Sequence, residues 1–73
     1  MIREIETKNP KKELSFKLKE ARINRGWTQG YLAKITGLSR IYIIKLEAGQ
    51  IPNPGIKNIK QLVYALGLKI EEL

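Results

Sequence analysis

Apolar residues recur at helical spacing along most of this chain, and no stretch alternates apolar and polar residues as a half-buried strand would. Leu14, Leu18 and Ala21 fall on one face of a first helix, with Arg22 beside them. Asn9 suits its N-cap and Pro10 its first helical position, where a missing N–H leaves no bond unmade. Arg25 and Gly26 suit its end. Thr28 then caps a second helix whose inward side is Leu32, Ala33 and Ile35. Ala33 is small enough for two helices to approach closely there. Gly37 supplies the positive φ that stops the second helix, and Leu38 tucks into the core behind it. Ser39 caps a third helix with Ile43 and Leu46 pointing inward and Gly49 closing it.

A proline-bounded loop covers residues 50–54. Either Asn53, with Pro54 at the first helical position, or Gly55 caps a fourth helix. Ile56, Ile59, Leu62, Val63 and Leu66 mark its apolar face, and Gly67 stops it. Leu68, Ile70 and Leu73 predict a short fifth helix. Residues 1–9, with Ile2 and Ile5 spaced by charges, form an N-terminal arm. The predicted fold class is all-α, a compact bundle of about five short helices over residues 10–73.

Composition narrows the function. Seventy-three residues make one domain near the lower size limit for a self-supporting core. Cysteine, histidine and aspartate are absent, and the only serines are Ser15 and Ser39. Disulfides, ordinary zinc sites, hydrolytic triads and His-based acid/base chemistry therefore lack their parts. No enzyme activity, catalytic residue, metal or cofactor is expected. No apolar run approaches the roughly 18–20 residues of a membrane span, and the N-terminus has no continuous apolar signal region, so the expected location is cytoplasmic. A net charge of +7 and a pI near 9.9 favour polyanionic partners.

Residues 28–49 read as two short helices joined by a tight turn containing glycine, a usual way for a small domain to offer side chains to the major groove. The skeleton is Leu18, Arg22, Gly26, Trp27-Thr28-Gln29, Leu32-Ala33, Gly37-Leu38-Ser39-Arg40, Tyr42-Ile43, Leu46-Glu47, Gly49, Pro52, Leu62 and Ala65-Leu66-Gly67. In this order and spacing it resembles the Cro/C1-type (XRE) helix-turn-helix family of phage repressor-like regulators. The resemblance implies a lambda repressor-like DNA-binding domain over 10–73, with the helix over 39–48 lying in the major groove.

The implied base-reading positions are Arg40, Ile41, Ile44 and Lys45. Arg40 either donates two hydrogen bonds to guanine O6 and N7 or pairs with a phosphate. Lys45 reaches a base or the backbone. Ile41 and Ile44 depart from the family's small or polar residues; they pack on thymine methyl groups or form an apolar patch for a protein partner. Gln29 sits in the first turn of the second helix, where the dipole and unpaired N–H groups attract a phosphate, and family members use this glutamine so. The Tyr42 hydroxyl, Asn53 and Lys57 are further implied phosphate contacts. Arg22 and Glu47 correspond to a largely buried structural ion pair between the first and third helices. Trp27 is expected in the core. Gly30 departs from the charged helix formers of relatives. Phe16 and Ile23 lie away from the first helix's core face, to be covered by the arm through Ile2 and Ile5 or by a partner.

The expectation is a sequence-specific DNA-binding transcriptional regulator, a repressor, binding double-stranded DNA as a homodimer on an inverted repeat. The alternative is the antitoxin half of a toxin–antitoxin pair or another protein-interaction module. A third possibility is non-specific nucleic-acid or RNA binding through Lys11, Lys12, Lys17, Lys19, Lys57 and Lys60.

Overall fold

A computed structural model describes residues 10–69, with side chains described from residue 13 onward. In chain order the helices are α1 (Pro10–Asn24), α2 (Gln29–Thr36), α3 (Arg40–Glu47) and α4 (Ile56–Leu66). No strand occurs among the described residues. The predicted bundle of about five helices is thus four where it is described. Leu68 and Lys69 are not helical, and the rest of the expected fifth helix lies outside the described residues, as do the arm over 1–9 and the Asn9 cap. No described helix is long and apolar enough to cross a membrane.

One core joins all four helices: Leu18 from α1, Leu32 and Ala33 from α2, Ile43 and Leu46 from α3, Leu62 and Leu66 from α4. Leu14, Ala21, Trp27, Leu38, Ile51 and Ile59 pack around it, half-buried. The helix boundaries follow local chemistry. The Thr28 hydroxyl accepts the Tyr31 N–H at 3.0 Å, and the Ser39 hydroxyl accepts the Tyr42 N–H at 2.9 Å, each satisfying an orphan donor of a first turn. Gly37, at φ 76°, ends α2 and returns its N–H to the Ala33 carbonyl. Gly55, at φ 81°, and not Asn53, occupies the N-cap of α4, and its cap position carries no side-chain hydrogen bond.

Two apolar positions differ from expectation. Ile35 is 42% exposed, so it is not the third inward residue of α2. Position 36 lies four residues from Leu32 and three from Ala33 and shares the face of both, whereas 35 neighbours only one of them. Thr36 takes that place, its hydroxyl donating to the Leu32 carbonyl at 2.7 Å. Ile56, the first residue of α4, is likewise exposed, because the apolar stripe enters the core only from Ile59 onward.

Candidate nucleic-acid interface

The turn Gly37-Leu38-Ser39 fixes how α3 is presented. Leu38 is half-buried against the core, Ser39 starts the helix, and Ile43 and Leu46 anchor it from beneath. With those anchors in place, Arg40, Ile41, Ile44 and Lys45 all lie on the solvent side of α3 and are exposed. Neither Arg40 nor Lys45 forms an ion pair with a described residue. Arg40 lies toward the first turn of α2: its Cδ is 4.0 Å from where a Cβ on Gly30 would stand. The four candidate base-reading side chains therefore share one open face, with the N-terminus of α2 beside it.

The four candidate phosphate contacts are less uniform. Asn53 and Lys57 are exposed around the start of α4. Tyr42 is half-buried, and its hydroxyl donates to the Pro54 carbonyl at 2.8 Å. A phosphate oxygen only accepts, so the one donor of this phenol is already committed inside the protein. Tyr42 thereby ties α3 to the loop that carries Asn53. Gln29 is half-buried, and its Nε2 donates to Glu47 Oε1 at 3.0 Å. One amide hydrogen remains for an outside acceptor.

Arg22 and Glu47 meet in a two-pronged ion pair. Arg22 Nε lies 2.7 Å from Glu47 Oε2, and Nη2 lies 3.0 Å from Oε1. Nη1 also donates to the Trp27 carbonyl at 2.6 Å. The side chains are 10% and 4% exposed, so both charges are withdrawn from water and each depends on the other. Together with Gln29 they form a network touching α1, the α1–α2 turn, α2 and α3. No described buried side-chain nitrogen or oxygen lacks a partner.

Trp27 is half-buried against the core, with its indole at 5.1 Å and 61° to the Tyr31 ring and the Arg25 guanidinium 5.5 Å from its centre. The sequence places Arg25 only at the end of its own helix. It instead reaches across to the Leu66 carbonyl at the end of α4, donating from Nε at 2.9 Å and also from Nη2. A lone cation beside Gly26 gives no signal of a partner 41 residues away. The Gln29–Glu47 bond and the Pro54 acceptor were equally illegible, because each depends on which loop or helix end lands opposite. Phe16 and Ile23 are 61% and 53% exposed; the covering proposed from Ile2 and Ile5 lies outside the described residues.

A family model described as helix-turn-helix, of the Cro/C1 type, matches residues 18–73. Among curated proteins the chain is similar to a Neisseria hypothetical transcription factor from Neisseria meningitidis serogroup B (strain ATCC BAA-335 / MC58). Identity is 33% over 60 residues, which cover 82% of this chain and 56% of that protein. The chain therefore spans little more than half the length of this relative. A search of solved structures gave no significant match.

Proposed function

Because the chain belongs to the Cro/C1-type helix-turn-helix family, we propose that it is a DNA-binding transcription regulator that reads the major groove with α3. The observation that carries this is the division of α3 into two sides. Ile43 and Leu46 are buried, while Arg40, Ile41, Ile44 and Lys45 are exposed. A +7 chain supplies long-range attraction to a polyanion, and Gln29, Asn53 and Lys57 supply backbone contacts that set register without reading sequence.

The finer account is a repressor acting as a dimer on an inverted repeat. One α3 face reads only a few base pairs, so useful specificity needs two half-sites about one helical turn apart. Affinity falls steeply with salt as counterions are displaced from phosphates. Selection from random duplexes at moderate salt tests this: one enriched, two-fold-related motif is expected. No enriched motif would overturn it.

A second reading, a protein-interaction module such as the antitoxin of a toxin–antitoxin pair, is favoured by the exposed Phe16 and Ile23 on α1. Stoichiometric capture of one small protein, lost in Phe16→Ser, would support it. Unchanged recovery of that protein by Phe16→Ser would remove α1 from the contact.

A further inference from the structure

The open side of α3 has a restricted chemistry. Between its caps it presents Arg40, Ile41, Ile44 and Lys45, with exposed Ala48 at its end. These are cationic donors and hydrocarbon only. No amide, hydroxyl or carboxylate stands among them; the Ser39 hydroxyl belongs to the N-cap, where one of its lone pairs accepts the Tyr42 N–H. Reading adenine through N6 and N7 needs a group that both donates and accepts, and reading cytosine N4 needs an acceptor. No side chain between the caps of α3 supplies either. Guanine O6 and N7 match a guanidinium, and the C5-methyl group of thymine matches an aliphatic side chain.

The two isoleucines need an explanation that the bundle does not provide. Ile41 is 64% exposed and Ile44 39% exposed, while the neighbouring Ile43 and Leu46 fill the core from the opposite side of the same helix. Arg40 and Ile44 are four residues apart and so adjoin on the helix surface. Arg40 is further placed by its stem, which passes the side-chain-free Gly30 in the first turn of α2. A guanidinium donor and a hydrocarbon surface thus stand side by side on α3.

We infer that α3 reads pyrimidine C5-methyl groups beside guanine, so that thymine and 5-methylcytosine are accepted at one step while uracil and unmethylated cytosine are disfavoured there. The inference rests on the DNA-binding function proposed above and specifies its target. Each of the two comparisons, thymine with uracil and 5-methylcytosine with cytosine, changes one methyl group pointing into the major groove. Removing one such group from contact with isoleucine weakens binding by about fourfold, from the transfer free energy of one buried carbon.

The test uses the full chain and the duplex preferred in random selection. Each thymine is replaced in turn by deoxyuridine, and the responsive step is then rebuilt with cytosine or 5-methylcytosine opposite guanine. Dissociation constants are measured by fluorescence anisotropy at fixed salt. A loss of about fourfold on removing either methyl is expected, and Ile41→Ala or Ile44→Ala should abolish that difference. Both residues are exposed, so the melting temperature of each variant reports that the fold is intact. Equal binding of every methylated and unmethylated pair, with preference over scrambled DNA retained, would overturn the inference and leave the DNA-binding function standing. Methyl discrimination that persists in both isoleucine variants would also overturn it. A chain with no preferred duplex would refute both together.

Discussion

Gln29 and Arg22 share one oxygen of Glu47: the glutamine Nε2 and the arginine Nη2 each donate to Oε1 at 3.0 Å. A carboxylate accepts only, so the amide nitrogen of Gln29 must face it. The buried ion pair that joins α1 to α3 therefore also orients the residue proposed to hold a phosphate. Glu47→Ala leaves the Arg22 guanidinium buried without its partner. A loss of roughly 3–5 kcal/mol is expected in urea unfolding, larger than for the double change Arg22→Met/Glu47→Leu. Near-equal unfolding of wild type and Glu47→Ala would discard the structural role.

Tyr42 gives a sharper separation of roles. If its hydroxyl braces the loop through Pro54, Tyr42→Phe removes one half-buried hydrogen bond and lowers stability by about 1 kcal/mol. A variant with unaltered stability but weakened DNA binding would return the hydroxyl to the phosphate role that the family resemblance implies.

Gly67 is constrained from two directions. Its φ is +71°, and an added Cβ would lie 2.6 Å from Arg25 Nη2. Gly67→Ala is expected to cost roughly 1–2 kcal/mol for the left-handed backbone alone, with a further loss as the arginine is pushed from the Leu66 carbonyl. In the double variant with Arg25→Ala the two effects should sum to less than their separate values, since both act on one contact. Strict additivity, measured in the same unfolding assay, would remove the Arg25 cap from the account.

Gly30 behaves in the opposite way. Beyond its chain neighbours and its own helix backbone, an added Cβ would meet nothing nearer than Thr28 Oγ1 at 3.9 Å, and the backbone there is helical. Gly30→Ala is expected to raise stability, by up to about 1 kcal/mol. Unchanged DNA affinity in that variant would show the glycine to be sterically idle. A loss of affinity equal for all sequences would mark it instead as a place where a phosphate comes close to the backbone.

Much of this molecule was legible in its sequence because the relevant forces are local. Thr28 and Ser39 announce helix starts, Gly37 and Gly67 announce stops, and the spacing of Leu32, Ala33, Ile43 and Leu46 places two helices face inward. Ile35 departs from its expected inward place because in an eight-residue helix an apolar side chain can sit at the edge of the stripe, while Thr36 can turn inward by bonding its own backbone. The N-cap of α4 fell between Asn53 and Gly55, since local propensity supports both. The polar tethers were harder to see. Gln29, Tyr42 and Arg25 each have an ordinary local role, and their partners Glu47, Pro54 and Leu66 are fixed only by the finished packing. Sequence spacing carries no signal for such pairs.

The central claim is that the solvent side of α3 enters a duplex, and it is tested most directly by following backbone amide resonances of the full chain while a selected duplex is added. The account predicts that the largest changes map to Arg40, Ile41, Ile44 and Lys45, with smaller ones at Gln29, Asn53 and Lys57. Changes confined to the lysines of α1 and α4, with the α3 resonances undisturbed at saturation, would contradict it.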